Sequence, residues 1–240
     1  MSSTGASLLR AAKRHVGEKY VLGAVAPKNN SNWEGPWDCA EFVSWLVFQS
    51  CGRLYGCNRN DTNPAAADAF TGFWGRDARS QGKIISVEKA ARTTGAAVLR
   101  LPQPGAIGHI VISDGNGGTV EAHSTKRGVI EHTLANRRWD MGVLVAPIEF
   151  EENEGPIEVS PPSTVIRLTQ PPMRGITVRQ IQQALKEAGF HPGKIDAIFG
   201  PMTHAAVVAF QISHRLVPDG EVGKQTARAL GVVLDARRYP

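Results

Sequence analysis

Cys39 and His109 are the residues of this sequence whose chemical types fit nucleophilic acyl transfer. A cysteine attacks as its thiolate, and a nearby imidazole supplies the base that forms the thiolate. After Cys39, apolar residues recur at three- and four-residue steps up to Gln49, and Gly52 is well placed to end a helix. The pattern predicts a helix with Cys39 in its first turn, where the positive end of the helix dipole lowers the pKa of a thiol. Most cysteines on helices are simply buried, so this interpretation requires a base and a group that orients the base.

His109 is the candidate base, because it lies in an alternating segment that predicts a strand over residues 108–112. The Asp-Gly-Asn-Gly-Gly run over residues 114–118 follows directly and predicts a hairpin turn. The chain therefore returns in a second strand, and a residue of that strand faces His109.

The centre of this turn decides which residue faces His109. A turn centred at Gly115 places Glu121 opposite the imidazole, whereas a turn centred at Asn116 places His123 there. A carboxylate in that position accepts a hydrogen bond from one ring nitrogen and holds the other nitrogen toward the thiol. The predicted catalytic residues are Cys39, His109 and Glu121, with His123 as the alternative third residue.

The elements that must position these residues follow from hydrophobic periodicity. Residues 6–16 have helical spacing, and Gly17 can stop the helix. The middle of the chain changes to short apolar runs separated by Gly and Pro, which predicts an antiparallel sheet. The runs cover residues 96–99, 108–112, 119–122 and 143–145. Helices followed by strands predict an α+β domain that ends near Ile148.

A linker and a second domain are predicted after this point. Residues 151–173 are rich in Glu and Pro and suit neither a helix nor a strand interior. Beyond them one set of residues recurs after 23 positions: Asp196, Gly200 and Thr203, then Asp219, Gly223 and Thr226. With an earlier amphipathic helix around residues 178–188, the two similar turn-to-helix units predict a small all-α domain with three helices.

Composition and charge narrow the classes of protein. A net charge of +5 fits an ordinary solvated surface as well as attraction to an anionic polymer, and no nucleic-acid-binding motif is present. No apolar run has the length of a secretory signal or a membrane span. The cysteines number three, so at least one stays outside any intramolecular disulfide, and we expect Cys51 and Cys57 to be reduced structural residues.

The segment Asp38-Cys39-Ala40-Glu41-Phe42-Val43, followed downstream by residues 108–115, resembles the NlpC family of papain-like cell-wall cysteine peptidases. The resemblance covers roughly residues 6–148 and implies a papain-like α+β fold with helices packed on an antiparallel sheet. It implies that Tyr20 lines the active site and that a substrate's free amine is recognised beside Asp38, for which an N-cap is the alternative role. The sequence departs from the family pattern at Glu121, where members often carry His, and at Ala40, where many have Ser.

Residues 174–232 resemble the common three-helix peptidoglycan-binding domain at nearly every position of its pattern. The expected organisation is therefore a peptidase domain over residues 1–150, a linker over 151–173 and a peptidoglycan-binding domain over 174–240. The resemblances imply a peptidoglycan hydrolase that cleaves an amide of the stem peptide, in particular a D,L-endopeptidase, such as a phage endolysin or a secreted effector.

The alternatives are an N-acetylmuramoyl-L-alanine amidase with the same site and a non-catalytic peptidoglycan-binding protein. A zinc enzyme is disfavoured because the His-Glu-x-x-His signature is lacking, so no metal or other cofactor is expected. The expected partner is bacterial peptidoglycan, with a cognate inhibitor or a delivery apparatus as further candidates, and we expect a monomer. Without a recognisable secretory signal, we expect release to the cell wall by lysis or by a non-classical route.

Overall fold

The computed structural model describes residues 3–103, 107–153 and 165–234, which form two compact units. The first unit contains α1 (Gly5–Arg14), α2 (Cys39–Cys51), α3 (Thr71–Ser80), β1 (Lys83–Ile85), α4 (Val87–Arg92), β2 (Ala97–Arg100), β3 (His109–Ser113), β4 (Gly118–Ser124), β5 (Gly128–Thr133) and β6 (Met141–Leu144). The second unit contains α5 (Ile176–Glu187), α6 (Pro201–Ser213) and α7 (Lys224–Leu230). Much of the predicted linker, residues 154–164, lies outside the described residues. The domain boundaries named above stay predictions.

One antiparallel sheet organises the first unit, and its six strands run in the order β1-β6-β2-β3-β4-β5. Residues of alternating parity face its two sides. Ile110 and Ile112 belong to the core that includes α1 and α2, whereas Val111 packs in a smaller cluster with residues of α4. The predicted α+β fold and antiparallel sheet are therefore confirmed.

The two helices on the larger core have well-defined caps. The Thr4 side chain accepts a hydrogen bond at the start of α1, and Asp38 does the same at the start of α2. Gly52 ends α2 with a φ of 69°, as its position in the sequence predicts. The expected extent of the first helix is wrong at its end, because α1 stops at Arg14 and leaves Val16 43% exposed.

A buried ion pair fixes two loops to the first turn of α2. Lys28 is fully buried, and its ammonium contacts the Glu41 carboxylate and the carbonyl oxygen of Ala67. Glu41 also accepts hydrogen bonds from the backbone N–H groups of Ala26 and Ala69, at 2.7 and 2.5 Å. Every partner of this carboxylate comes from a loop, so the network sets where α2 begins relative to those loops.

The second unit is held by two glutamines that make matching hydrogen bonds. The Gln182 amide nitrogen donates to the Asp196 carboxylate at 3.0 Å and to the Thr203 hydroxyl at 3.1 Å. The Gln211 amide nitrogen donates to Asp219 at 2.8 Å and to Thr226 at 3.1 Å. These contacts explain why Asp and Thr recur 23 residues apart in the sequence. The three helices confirm the predicted three-helix domain. None of the helices in the described ranges is long and apolar enough to cross a bilayer.

Candidate active site

Cys39 is the first residue of α2, and the residues around it form a compact polar group. One Asp38 carboxylate oxygen accepts a hydrogen bond from the Ala40 N–H at 3.0 Å, and the other accepts from the Gly23 N–H at 3.1 Å. Tyr20 is also buried, and its hydroxyl lies near the Asp38 carboxylate. The N-cap role of Asp38 is therefore confirmed, while its contact with a substrate amine stays a prediction.

The pKa of the Cys39 thiol is raised well above its usual range. Burial is the largest cause, since the residue is only 6% exposed, and the nearby Asp38 carboxylate raises it further. The backbone N–H of Ile110, as a hydrogen-bond donor, and the positive charge of Arg100 lower the pKa. Desolvation therefore outweighs any lowering of the pKa by the dipole at the start of α2. This environment favours the neutral thiol over the thiolate.

His109 begins β3 directly before Ile110, and its imidazole is held by Glu121 of β4. The distance between His109 Nε2 and Glu121 Oε2 is 2.5 Å. The other oxygen of this fully buried carboxylate accepts a hydrogen bond from the Thr119 hydroxyl at 2.9 Å. Because Glu121 occupies Nε2, Nδ1 is the ring nitrogen on the side away from this carboxylate. The catalytic role of either residue stays a prediction.

The expected centre of the hairpin turn at Gly115 is wrong. Ile112 pairs with Val120, and Ser113 pairs with Thr119, so the turn is centred at Asn116. Glycines at positions 115 and 117 both have a positive φ, and the Asp114 carboxylate accepts hydrogen bonds from the N–H groups of residues 116 and 118. The two glycine conformations and the Asp114 hydrogen bonds close a turn that is centred at Asn116.

Continued along the strands, the observed register places His123 opposite His109 and Glu121 opposite Val111. The rings of His109 and His123 lie 6.3 Å apart between centroids, but the hydrogen bond reaches His109 from Glu121. Diagonal neighbours on one face of a sheet are within reach of long side chains. Glu121 therefore meets the imidazole diagonally.

Three features of the site have no counterpart in the sequence patterns described above. Arg100, at the end of β2, pairs with His109 in the ladder and is 3% exposed. His132 of β5 places Nδ1 4.0 Å from the Glu121 carboxylate. A Cβ on Gly108 would lie 2.2 Å from the Thr71 hydroxyl oxygen, so the start of α3 approaches the backbone beside His109 closely. An Arg at a strand end or a His in a short strand is an ordinary pattern, and neither one signals a site.

Tyr20, Asp38 and Cys39 thus form one group, and His109, Glu121 and His123 form another. The backbone N–H of Ile110, the residue after His109, lies near the Cys39 sulfur and so connects the two groups. All three cysteines are free. Within the described part of the chain, no cluster of His, Cys, Asp and Glu has the arrangement of a metal site.

Comparison with known proteins identifies the second unit. Residues 174–230 match the family model described as a putative peptidoglycan binding domain. The amidase CwlL of Bacillus licheniformis, named as an N-acetylmuramoyl-L-alanine amidase, is 40% identical over 79 residues, which cover 30% of this chain and 22% of that protein. CwlH of Bacillus subtilis (strain 168), with the same enzyme name, is 41% identical over 71 residues, which cover 25% of this chain and 28% of that protein. The chain spans only about a quarter of the length of these relatives.

Solved structures of NlpC/p60 domains are similar over a larger part of the chain. The NlpC/p60 domain of the peptidoglycan hydrolase SagA has a TM-score of 0.42 and 24% identity, covering 59% of this chain and 99% of that chain. The P60 domain of an antigen from M. avium subspecies paratuberculosis has a TM-score of 0.40 and 18% identity, covering 59% of this chain and 96% of that chain. The chain thus combines an α+β unit, with NlpC/p60 domains among its structural neighbours, and a peptidoglycan-binding domain.

Proposed function

We propose that the chain is a peptidoglycan hydrolase that cleaves an amide bond of the cell-wall stem peptide by a thiol mechanism. The observation that carries the proposal is the 2.5 Å contact between His109 and Glu121. The residue after His109, Ile110, places its backbone N–H near the Cys39 sulfur. A buried cysteine, a base and a carboxylate that orients the base are the parts that nucleophilic acyl transfer requires. The family match over residues 174–230 supports the cell wall as the place of action.

In this mechanism His109 removes the proton of Cys39 in each catalytic cycle. Because burial raises the pKa of the thiol, the attacking thiolate forms only as the proton passes to the imidazole. The sulfur then attacks the amide carbonyl carbon, and His109 protonates the leaving amine. Water, deprotonated by His109, releases the acyl group from the sulfur. Glu121 keeps the ring oriented and stabilises its positive charge.

The negative oxygen of the tetrahedral intermediate needs a hydrogen-bond donor near Cys39. The Ala40 N–H is engaged by Asp38, which leaves the Cys39 N–H as the candidate at the start of α2. Tyr20 and Asp38 are candidates for substrate contacts, because both side chains lie beside the sulfur.

The particular bond we propose is a D,L-peptide bond of the stem peptide. An amidase that separates the stem peptide from muramic acid is the second candidate, since the curated relatives carry that enzyme name. We propose peptidoglycan as the partner and the bacterial cell wall as the site of action for both candidates.

Mass spectrometry of fragments released from purified peptidoglycan tests the proposal. We expect fragments from the wild type and from Cys51→Ala, which changes a free cysteine at the far end of α2, and none from Cys39→Ala. Fragment masses identify the bond and separate an endopeptidase from an amidase. Unchanged release by Cys39→Ala would reject the thiol mechanism. If no variant releases fragments while all sediment with the wall, the chain is a non-catalytic binding protein.

A further inference from the structure

Thr119 carries a buried hydroxyl that contacts the carboxylate holding the candidate base. The hydroxyl donates to Glu121 Oε1 at 2.9 Å, while Glu121 Oε2 lies 2.5 Å from His109 Nε2. Thr119 is only 2% exposed and Glu121 is fully buried, so bulk water has little access to either carboxylate oxygen. The three side chains therefore form a chain of hydrogen bonds inside the protein, and the mechanism above gives the hydroxyl no role.

The strand geometry fixes Thr119 on the same face of the sheet as Glu121. Both residues lie on β4, and residues two positions apart on a strand share a face. Thr119 pairs with Ser113 of β3 on one side and with His132 of β5 on the other, so its backbone is held from both directions. A β-branched side chain has a restricted χ1 torsion, which limits how far the hydroxyl can turn away from the carboxylate.

A neutral imidazole carries its proton on one ring nitrogen, and the group that faces Nε2 determines which one. An ionised Glu121 accepts from an N–H at Nε2 of His109 and leaves a lone pair on Nδ1, which can then remove a proton from a nucleophile. A protonated Glu121 would instead donate to Nε2 and place the ring proton on Nδ1, where it blocks the base. Because the Thr119 hydroxyl donates to Oε1, it favours the ionised carboxylate over the protonated one.

We propose that Thr119 is a positioning residue that sets the tautomer of His109 through Glu121. Its hydroxyl keeps Glu121 an acceptor at both oxygens, so the imidazole holds its proton on Nε2 and presents Nδ1 as the base. The hydroxyl acts only through the carboxylate. The inference rests on the proposed function for its catalytic consequence, whereas its effect on the ring proton can be measured without turnover.

Other side chains on this face of the sheet stay constant in the experiment. His132 places Nδ1 4.0 Å from the Glu121 carboxylate, and the ring centroids of His123 and His109 lie 6.3 Å apart. Arg100 leaves the sheet on this face as well, since it pairs with His109 in the β2–β3 ladder. A substitution at residue 119 leaves all of these side chains unchanged.

Nitrogen-15 chemical shifts of the His109 ring, measured by NMR on the full chain at a pH where the imidazole is neutral, test the inference. A ring nitrogen with a proton and one with a lone pair have well-separated shifts, and His109→Gln assigns the signals. Thr119→Ser and Thr119→Val form a matched pair, because serine retains the hydroxyl and valine retains the shape. We expect the proton on Nε2 in the wild type and in Thr119→Ser, and a shift of both ring signals toward the Nδ1–H form in Thr119→Val. Thr119→Ala replaces Thr119→Val if the latter does not fold, as judged by circular dichroism.

Turnover should follow the tautomer. We expect kcat on peptidoglycan to fall roughly tenfold in Thr119→Val, since a hydrogen bond to a charged group is lost, and to be retained in Thr119→Ser. A merely structural role would lower kcat without moving the ring signals. Thr93→Val is the control, because it removes the hydroxyl of another buried threonine, which donates to the Lys89 carbonyl oxygen at the end of α4. This control should leave the His109 signals unchanged.

Identical ring signals in the wild type and Thr119→Val, or a wild-type ring with its proton on Nδ1, would overturn the inference. A changed tautomer in Thr119→Val without any peptidoglycan cleavage by the wild type would retain the role of Thr119 and reject the proposed function. Cleavage by the wild type with an unchanged tautomer in Thr119→Val would do the reverse.

Discussion

Glu121 reaches His109 diagonally across the β3–β4 hairpin, from the position opposite Val111. The residue directly across from His109 is His123, whose Nδ1 lies 3.0 Å from the Ser124 hydroxyl. A side chain with three carbons beyond Cα can span the diagonal, and the buried carboxylate is held there by Thr119. Under the proposed function, the choice of the third catalytic residue therefore depends on which side chain is long enough to reach the imidazole.

Replacing Glu121 tests this assignment. Glu121→Gln retains the size of the side chain but removes the charge that stabilises the protonated imidazole, so we expect kcat on peptidoglycan to fall roughly 10- to 100-fold. Glu131→Gln, which changes an exposed carboxylate on β5, should retain wild-type turnover. His123→Gln should also remain active. A large loss in His123→Gln with little loss in Glu121→Gln would assign the third role to His123.

The buried ion pair of Lys28 and Glu41 predicts a large effect on stability. Lys28→Met leaves the Glu41 carboxylate buried without its cation, so we expect the free energy of unfolding to fall by about 3–5 kcal/mol in urea titrations. Lys89→Met breaks an ion pair with Glu152 in which both side chains are partly exposed, and should have little effect. Similar losses in the two variants would show that the buried pair does not hold the loops to α2.

Because the Cys57 thiol is buried, we expect the folded protein to lose stability in alkaline solution. Burial raises its pKa from 9.0 to about 11, and the Lys28 cation opposes this shift. The folded state then binds the thiol proton more tightly than the unfolded state does, so this contribution is fully present below about pH 9 and is lost as the pH rises toward 11. In urea titrations between these pH values we expect the free energy of unfolding to decline less steeply for Cys57→Ala than for the wild type, by up to about 2 kcal/mol across the window.

The alanine variant is expected to be less stable at every pH because a cavity forms, so only the slope is informative. Burial also raises the pKa values of Tyr20 and Tyr55, and these groups contribute equally to both proteins. Parallel curves for the two proteins would show that the Cys57 thiol is not protonated preferentially in the folded state.

We expect the buried side chain of Gln182 to stabilise the second unit through its hydrogen bonds. Gln182→Met removes the donor to Asp196 and Thr203 and the acceptor of the Ala197 N–H, so we expect the unit to lose about 2–3 kcal/mol of unfolding free energy. Thermal unfolding of the full chain measures the loss of stability. Sedimentation with peptidoglycan measures binding to the wall. Gln183→Met changes the exposed neighbour and is the matched control. Equal melting curves for the two variants would contradict the role of the buried amide.

Hydrophobic periodicity predicts much of the fold but only part of the site. The sequence places Cys39 at a helix start and His109 in a strand because each lies in a regular pattern. An error of one residue in the turn centre moves the partner of His109 by two positions, which keeps it on the same face. Glu121 and His123 therefore share that face under either register, and periodicity alone does not decide between them.

The remaining features depend on contacts between segments that no local pattern connects. Arg100 and His109 are joined by residues 101–108, where Pro104-Gly105 predicts a turn but does not fix the register of the two strands. Lys28 lies in a polar loop, where no hydrophobic periodicity indicates that it is buried against Glu41. The end of α1 differs from the expected one because His15 caps the helix before Gly17 is reached. Tertiary packing determines all three features.

The paired glutamines of the second unit have an evolutionary consequence. Gln182 holds the backbone of one turn from the interior, accepting the Ala197 N–H, and Gln211 does the same for the other by accepting the Gly220 N–H. Asp196 and Asp219 each accept one further backbone N–H of their own turn, and the other outward side chains take no part in these hydrogen bonds. After a duplication of one ancestral unit, such surface positions can diverge independently in the two copies while the scaffold persists. A single architecture can in this way adapt to wall polymers of different chemistry.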